Sequence, residues 1–309
     1  MSELSTGREK IYGKILLFGE YTILLEGNAL AIPLQNNSFS GILNLEKPEK
    51  QNPVWKEWLK YLQNLRYSQL NELAFDWHNF ERDIDAGLNF ESALPIGYGL
   101  GSSGALTAAV FKKYISKIQL DALNSDLNKL QKTLGIFESF FHGSSSGLDP
   151  LVSLLNVPIQ ITGSNTSLLP KLNHESRRNW FIVDSGLPRQ TSLLVNKFRK
   201  KLDTDPDFEK KMQELKNVNN ETIQNFLEHK TEQLKVGIRN ISSIQFTDME
   251  WLIPETIKSS WEKGLESNRF YFKLCGAGGG GFFLVYIPEK EDQLILSQTL
   301  GIMNLVPSE

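Results

Sequence analysis

The chain has 309 residues, of which 40% are hydrophobic and 22% are charged, and its formal net charge is −3. This composition is ordinary for a globular protein, and the length suggests one large or two modest domains. The small negative charge offers no general attraction for nucleic acid or an anionic membrane. The single cysteine excludes an internal disulfide and favours a reducing compartment.

The N-terminus and the most apolar stretch both argue against targeting and membrane insertion. Residues 1–10 are polar and charged and contain no apolar signal core. Residues 15–34 are interrupted by Glu20 and Glu26, which excludes a transmembrane helix. We therefore expect a cytoplasmic enzyme or binding module that has neither a nucleic-acid nor a membrane partner.

The first half of the chain favours strands, with helices inserted between them. Short segments rich in β-branched and aromatic residues predict strands at 11–18, 21–25, 39–45, 88–92, 158–162 and 180–184. Helical spacing of apolar residues predicts helices at 53–70, 105–116 and 125–141.

The second half changes character and favours helices from residue 191 onward. The predicted helices cover 191–201, 206–216, 221–240 and 248–266. Two further strands, 269–275 and 282–287, flank a glycine-rich segment. A strand-rich part followed by a helix-rich part predicts an α+β protein with two domains, residues 1–190 and 191–309.

Nine of the 23 glycines lie in two short windows, 97–104 and 276–281. Both windows contain G-x-G-x-x-G, which alone is a weak signal of dinucleotide binding. The first lacks an acidic residue on a following strand, and the second leads into a strand instead of a helix. A nicotinamide oxidoreductase is therefore disfavoured. G-x-x-x-x-G-K-[ST] is also absent, which excludes a Walker-type phosphate loop.

The first window has the features of a phosphate cradle. Residues 94–105 are Leu-Pro-Ile-Gly-Tyr-Gly-Leu-Gly-Ser-Ser-Gly-Ala, so several backbone N–H groups are free to converge on an anion. The helix that follows adds its positive N-terminal end. Ser102 and Ser103 would by themselves be interpreted as helix caps, but a cap needs no glycine loop before it.

Four segments, in order along the chain, resemble the motifs of the GHMP kinases, the superfamily of galactokinase, homoserine kinase, mevalonate kinase and phosphomevalonate kinase. They are Gly-Lys-Ile-Leu-Leu-Phe-Gly-Glu at 13–20, the loop at 94–105, Glu-x-x-x-His-Gly-x-x-Ser-Gly-Leu-Asp at 138–149, and Lys-Leu-Cys-Gly-Ala-Gly-Gly-Gly-Gly at 273–281. The resemblance implies a two-domain GHMP kinase-like fold. In that fold a strand-rich N-terminal domain and a helix-rich C-terminal α/β-sandwich domain have the active site between them.

The same resemblance implies ATP and Mg²⁺ as cofactors. The expected ATP-binding residues are Pro95, Gly97, Gly99, Leu100, Gly101, Ser102, Ser103 and Gly104. Ser103 and Glu138 are expected to coordinate Mg²⁺, which prefers oxygen ligands and retains several waters. Asp149 is expected to be the catalytic carboxylate, either as a base or as an orienting charge. Lys14 is expected to pair with it, since an unpaired ammonium in an apolar strand is costly.

The acceptor site implied by the resemblance includes part of the second glycine window. The expected residues are Glu20, Tyr21, Arg189, Thr191, Gly276, Ala277 and Gly278. We expect the second window to pack against the first and to present backbone N–H groups to the acceptor. Cys275 is expected to be a buried strand residue and His142 to be structural.

The identity of the acceptor is the point on which the motifs conflict. The segment 142–149 and the run of four glycines resemble mevalonate kinases. Tyr21 and Tyr98, with their neighbours, look more like phosphomevalonate kinases, and Ser145 replaces a usual proline. The favoured function is transfer of the ATP γ-phosphoryl group to the hydroxyl of mevalonate, a step of isoprenoid precursor synthesis.

Other functions remain open at this stage. The acceptor could instead be phosphomevalonate, homoserine or a sugar, and the protein could be a non-catalytic ligand sensor. Joint retention of Lys14, Ser103, Glu138 and Asp149 argues against a sensor, because a pure binder does not need metal and acceptor groups together. A homodimer also remains open.

Overall fold

The computed structural model describes residues 9–45, 53–172, 177–188 and 191–305. These residues form two compact units that interleave along the chain. Unit 1 contains the described residues up to Lys14, together with Asn37–Pro95 and Gly101–Asn156. Unit 2 contains the described residues of Ile15–Asn36, Ile96–Leu100 and Val157–Glu309. The division into residues 1–190 and 191–309 stays a prediction.

The described residues contain eleven strands in three sheets. The strands are β1 (Ile11–Tyr12), β2 (Lys14–Phe18), β3 (Ala29–Pro33), β4 (Ser40–Leu45), β5 (Leu88–Ser92), β6 (Ile159–Thr162), β7 (Asn165–Leu168), β8 (Trp180–Asp184), β9 (Tyr271–Leu274), β10 (Phe282–Tyr286) and β11 (Met303–Asn304). The sheet orders are β1-β4-β5, β2-β3-β6-β7 and β11-β8-β10-β9. Pairing is antiparallel throughout β1-β4-β5, β3-β6-β7 and β11-β8-β10-β9.

Eleven α-helices have both ends within the described residues. They are α1 (Val54–Leu65), α2 (Trp77–Asp85), α3 (Ser102–Tyr114), α4 (Lys117–Asn124), α5 (Leu127–His142), α6 (Leu148–Leu155), α7 (Thr191–Thr204), α8 (Pro206–Leu227), α9 (Thr231–Asp248), α10 (Glu255–Ser267) and α11 (Lys290–Leu300). Short 3-10 turns occur at Thr22–Leu25, Asn37–Phe39 and Glu250–Leu252. This mixture of helices and antiparallel sheets confirms the predicted α+β class. None of the helices in the described part of the chain combines the length and apolar character needed to cross a membrane.

The strand predicted at residues 21–25 is wrong, because this segment forms a 3-10 turn. Tyr21 and Glu26 bracket it with φ values of 63° and 60°, which an extended strand does not allow. The Gly27 N–H closes the turn on the Thr22 carbonyl at 2.9 Å. The next strand in the chain is β3, which the sequence patterns did not predict.

The helices predicted at 206–216 and 221–240 divide at a different place from the one expected. The residues between the two predicted helices lie inside α8, where Asn219 is buried and donates from Nδ2 to the Asn28 carbonyl at 2.8 Å. Asn220 Oδ1 accepts a hydrogen bond from the Asn28 N–H at 2.8 Å. The helix ends instead near His229, whose φ is 57°. Tertiary hydrogen bonds therefore keep this polar stretch helical.

The core of unit 1 fixes helices α3 and α5 relative to each other. Phe111 of α3 and Phe137 of α5 pack with their ring centroids 5.4 Å apart. The fully buried Trp58 of α1 donates from Nε1 to the Phe137 carbonyl at 3.0 Å. Interdigitated aromatic rings of this kind leave few alternative packings, so the side chains that project from α3 and α5 have fixed positions.

A buried carboxylate joins α2 to α3 in the same unit. Asp83 accepts a hydrogen bond from the Tyr114 hydroxyl at 2.8 Å and pairs with Lys113 at 3.0 Å. Burial alone would raise the pKa of Asp83. The hydrogen bonds from Arg82, Lys113 and Tyr114 outweigh that effect and hold its pKa below the usual range. This carboxylate therefore stabilises the unit as an anion.

Candidate functional site

The first glycine loop ends in a tight turn that begins helix α3. Gly101 is the N-cap residue with a φ of 72°, a conformation that side chains disfavour. A Cβ at Gly104 would lie 2.8 Å from the main-chain carbon of Asp149, so glycine permits α3 to approach α6 closely. The first helical hydrogen bond runs from Ala105 N–H to the Gly101 carbonyl at 2.8 Å. The N–H groups of Ser102, Ser103 and Gly104 precede that bond, at the positive end of the helix.

The side chain of Ser103 points towards helix α5. Its Oγ lies 3.0 Å from Oε1 of Glu138 and 2.8 Å from Nε2 of His142. Glu138 and His142 are four residues apart, and that spacing brings both to one face of α5. The N-cap position belongs to Gly101, so a capping role does not describe the Ser103 hydroxyl.

Glu138 is a buried carboxylate with hydrogen-bond donors on both oxygens. Its exposed fraction is 3%. The Ser145 hydroxyl donates to Oε2 at 2.5 Å, while Ser103 lies against Oε1. Burial, followed by the negative charge of Asp149, raises the pKa of Glu138 to about 7. A bound cation would favour the ionised form of this group.

Lys14 and Asp149 form an ion pair beside the turn at Gly101. Lys14 Nζ lies 2.8 Å from Asp149 Oδ1, and the two side chains are 9% and 32% exposed. A Cβ at Gly101 would lie 3.1 Å from Lys14 Cγ and 3.5 Å from Asp149 Oδ2. The pair that the sequence predicted is therefore present in unit 1, next to the start of α3, with its carboxylate partly open to solvent.

Asp149 is followed by a proline, and both residues lie in a helix. Asp149 lies in the first turn of α6, which begins after the N-cap residue Gly147. Proline is compatible with the first turn of a helix, because the N–H it lacks has no helical partner there. An acidic side chain in this turn also interacts favourably with the helix dipole.

Glu20 and Tyr21, which were predicted for the acceptor site, make buried contacts within unit 2. Glu20 Oε1 lies 2.6 Å from Lys273 Nζ, and the two side chains are only 2% and 1% exposed. The Tyr21 hydroxyl donates to the Ala277 carbonyl at 2.7 Å. These contacts hold the end of the first motif against the start of the second glycine window.

Within unit 2, the second glycine window contacts the part of the first that contains Tyr98. The Phe282 N–H donates to the Tyr98 carbonyl at 3.4 Å, and the ring centroids of these two residues are 5.5 Å apart. The Gly279 and Gly281 N–H groups donate to the carbonyls of Leu252 and Leu187, at 2.7 and 2.6 Å. These two N–H groups are therefore occupied within the protein.

The remaining predicted residues differ in their surroundings. Leu100 is fully buried, whereas Gly97 has no atom within 4 Å of the position a Cβ would take. Thr191 is exposed at the start of α7, and Arg189 lies outside the described residues. The other predicted residues are partly buried at Pro95, Gly99, Ser102 and Gly276, and buried at Gly278.

The donor set at Ser103 and Glu138 suits Mg²⁺. No group of three or more His, Cys, Asp or Glu side chains is arranged to hold a metal ion in the part of the chain that is described. Mg²⁺ needs no such cage, because one or two carboxylates and the substrate phosphates usually hold it. A hydroxyl beside a buried carboxylate offers the oxygen ligands that this ion prefers. The residues present therefore fit the metal.

Three residues in these contacts had no functional role in the sequence analysis. The sequence predicts a structural role for His142, and it assigns no role of their own to Ser145 and Lys273. The spacing of Glu138 and His142 on one helix was a signal for the first of them. No local sequence pattern predicts the contact of Ser145 with Glu138 or that of Lys273 with Glu20.

Comparison with known proteins finds similarity to a family of kinases. Residues 61–156 match the GHMP kinases N terminal domain. The chain is 22% identical to the mevalonate kinase of Thermococcus sibiricus, over 91% of this chain and 89% of that relative.

Solved structures show the same fold across nearly the whole chain. The L. major mevalonate kinase in complex with R-mevalonate gives a TM-score of 0.65 at 16% identity, covering 97% of this chain and 95% of that one. The Streptococcus pneumoniae phosphomevalonate kinase gives 0.61 at 15% identity, covering 96% and 97%. Residues 61–156 are therefore similar to the GHMP kinases N terminal domain, the chain has the fold of these kinases, and these likenesses support small-molecule kinase activity.

Proposed function

We propose that the protein transfers the γ-phosphoryl group of ATP to the hydroxyl of a small alcohol, with mevalonate as the favoured acceptor. The observation that carries this proposal is the Lys14–Asp149 ion pair at 2.8 Å, beside the start of helix α3. Phosphoryl transfer needs a phosphate cradle, positive charge and a group that positions the acceptor. Unit 1 has residues suited to all three needs in one cluster.

The phosphate cradle is the N-terminal end of α3. The N–H groups of Ser102, Ser103 and Gly104 precede the first helical hydrogen bond and are suited to bind phosphate oxygens. The Lys14 side chain lies next to the Gly101 turn, where its ammonium adds positive charge. Binding therefore depends on backbone geometry and charge, and it does not require recognition of a base.

The metal ligands are Ser103 and Glu138, whose oxygens are 3.0 Å apart. Bound Mg²⁺ would neutralise charge on the phosphates of ATP. In the metal-free protein, the Ser103 and Ser145 hydroxyls stabilise the Glu138 carboxylate by hydrogen bonds. The chain thus holds a ligand set in place before the ion arrives.

Asp149 is suited to position the acceptor. About a third of its side chain is exposed, so an alcohol can reach the carboxylate from solvent. Lys14 fixes one carboxylate oxygen and leaves the other to accept a hydrogen bond from the acceptor hydroxyl. The carboxylate can then orient the hydroxyl, or take its proton as the new bond to phosphorus forms.

The relatives support mevalonate as the acceptor, and one feature favours phosphomevalonate as the second candidate. The curated relatives are named mevalonate kinase, and one similar structure has R-mevalonate bound. Tyr21 stands where mevalonate kinases usually have histidine, and its hydroxyl bonds to Ala277 in the second glycine window. A different side chain at this position is a reason to test the phosphorylated acceptor.

The proposal is tested by measuring ADP release with ATP, Mg²⁺ and a panel of mevalonate, phosphomevalonate, homoserine and galactose. We expect mevalonate to give the highest kcat/KM, and the Asp149→Asn variant to lose most of that rate. A higher kcat/KM with phosphomevalonate would establish the second candidate. ATP binding without turnover on any alcohol would identify a sensor, and failure to bind ATP would refute the proposal.

A further inference from the structure

A short hydrogen-bond network surrounds the two residues proposed to hold the metal. Ser103 Oγ lies 3.0 Å from Glu138 Oε1 and 2.8 Å from His142 Nε2. On the other side of the carboxylate, the Ser145 hydroxyl donates to Oε2 at 2.5 Å. The Gly147 N–H donates to Ser145 Oγ at 3.0 Å. Each oxygen of Glu138 therefore faces a different serine.

The number of hydrogens available gives this network one direction. A serine hydroxyl has a single hydrogen, and an ionised carboxylate only accepts. Ser103 gives its hydrogen to Glu138, so it has none for His142. When Glu138 is ionised, as it is when it binds a cation, His142 is left to carry its hydrogen on Nε2 and to donate to Ser103 Oγ. The Gly147 N–H can only donate, which leaves the Ser145 hydroxyl to point at Glu138.

The two outer donors are held by the backbone around them. His142 is the last residue of α5, and the Gly143 N–H closes the final turn on the Ser139 carbonyl at 2.7 Å. Ser145 lies in the short connection to α6, where Gln131 of α5 donates to the Ser146 carbonyl at 2.9 Å. Both donors are therefore placed by the geometry of one helix end and its loop.

We infer that His142 and Ser145 are positioning residues that orient Ser103 and Glu138 for a divalent cation, an inference that rests on the proposed function. His142 occupies one lone pair of Ser103 Oγ and leaves the other for the ion. Ser145 holds the second carboxylate oxygen, so that the carboxylate cannot rotate freely. Residues that support metal ligands in this way commonly change metal affinity about 10- to 100-fold when they are removed.

A purely structural role for His142 predicts a different result. The side chain of His142 is exposed, so its replacement removes little buried surface. A structural role would change the stability of the helix end and leave metal affinity unchanged. A positioning role would change metal affinity and leave stability nearly unchanged.

The test measures Mn²⁺ binding, by electron paramagnetic resonance of free Mn²⁺, to the full chain saturated with ADP. We expect His142→Leu and Ser145→Ala each to raise the Mn²⁺ Kd by about tenfold or more. His142→Gln and Ser145→Thr keep a donor and should recover most of the affinity. Ser139→Ala is the matched control, because that hydroxyl donates to the Gly135 carbonyl at 2.7 Å on the same helix. It should leave the Kd unchanged.

The outcomes separate this inference from the proposed function. Unchanged Mn²⁺ affinity in both His142→Leu and Ser145→Ala would overturn it. An equal loss of Mn²⁺ affinity in His142→Gln and His142→Leu would also overturn it. The same holds if Glu138→Gln binds Mn²⁺ as tightly as the wild-type protein does. The expected pattern of affinities, in a protein that phosphorylates none of the alcohols, would support the inference and refute the proposed function.

Discussion

Two lysine–carboxylate pairs, one in each unit, have the same chemistry and opposite surroundings. In unit 1, Lys14 and Asp149 are 2.8 Å apart, and the carboxylate side chain is 32% exposed. In unit 2, Lys273 and Glu20 are 2.6 Å apart, and neither side chain is more than 2% exposed. Burial decides which pair a dissolved molecule can reach. The same contact is suited to catalysis in one unit and to structural organisation in the other.

Burial also decides how much stability is lost when one partner of each pair is removed. Removal of one partner from a buried pair leaves a charge without compensation and commonly costs about 3–5 kcal/mol. Lys273 also donates to the Leu274 carbonyl at 2.7 Å, so its loss removes a second buried hydrogen bond. Water can solvate Asp149 when Lys14 is absent, and a partly exposed pair contributes about 1 kcal/mol or less.

The largest expected effect is therefore on stability in unit 2. We expect Lys273→Met to lower the free energy of unfolding by about 3–5 kcal/mol, because it breaks a fully buried ion pair with Glu20. Lys14→Met, as the matched control, should lower it by about 1 kcal/mol or less. Urea denaturation of both variants measures the difference. Equal losses would show that burial does not distinguish the pairs.

A second prediction concerns Glu138, whose raised pKa makes the metal-free protein sensitive to pH. A folded-state pKa of about 7 means that the folded protein holds this proton to higher pH than the unfolded chain does. The stability contribution is therefore present at low pH and is lost as pH rises through about 7. With EDTA present, Glu138→Gln should be more stable than wild type at pH 8, by at most about 3 kcal/mol, and similar to it at pH 4. Urea denaturation measures the free energy of unfolding of both proteins at each pH. The same difference in stability between variant and wild type at pH 4 and pH 8 would contradict this prediction.

The third effect is on turnover, and it separates the exposed pair from the buried one. Asp149→Asn keeps the shape of the side chain but removes the charge that orients the acceptor. Turnover should fall at least about 10²-fold. ATP affinity should hardly change, because Asp149 is outside the phosphate cradle. Steady-state kinetics and an ATP titration measure both quantities, and near-normal turnover would refute the proposed role.

The fourth prediction asks whether Lys14 and Asp149 act as one unit. Lys14→Met should lower turnover, since it removes positive charge where negative charge develops. If the pair is a unit, the double variant with Asp149→Asn should be little slower than the slower single variant. The same kinetic assay gives the comparison. Multiplicative losses would show two independent contributions.

The smallest effect concerns the Tyr21–Ala277 hydrogen bond in unit 2. The Ala277 carbonyl and the Gly278 N–H belong to one trans peptide and point in opposite directions. By binding the carbonyl, Tyr21 therefore sets the orientation of that N–H. If the second glycine window binds the acceptor, Tyr21→Phe should raise the acceptor KM about fivefold, as expected for the loss of about 1 kcal/mol. The KM for ATP should stay the same.

The control for this change is Tyr61→Phe, which removes a hydroxyl bonded to the Ile136 carbonyl at 3.2 Å in unit 1. It should leave the acceptor KM unchanged. An equal rise in the KM for ATP and for acceptor in Tyr21→Phe would point to a general loss of structure.

Much of the fold and part of the site could be predicted from local sequence features. Strands such as β8 and β10 are short apolar runs with clear ends, and α5 ends at His142, directly before a glycine, which is a common C-terminal signal. The glycine loop before α3 has a composition that phosphate binding favours and that few other roles require. The requirement that Lys14 have an anionic partner also follows from sequence, because it is a charge in an apolar strand.

The rest could not be predicted because it depends on contacts between distant residues. Asn219 is buried within α8, and the carbonyl that accepts its hydrogen bond belongs to Asn28, 191 positions away. Lys273 and Glu20 are 253 positions apart, and no local pattern relates them. A sequence determines local propensity and the chemistry of each side chain. Which groups meet is decided when the whole chain packs and its buried polar groups find partners.

The candidate site illustrates the same division. The residue types at Ser103, Glu138 and Asp149, and their order along the chain, are set by sequence and predict a kinase. The positions of His142 and Ser145 around Glu138 are decided by how α5 and its loop pack against α3. Burial raises the pKa of Glu138, whereas Asp149 is partly exposed. Both are properties of the packed chain. The sequence therefore determined which groups are available, and the tertiary structure decided which of them are shielded from water and which can meet a ligand.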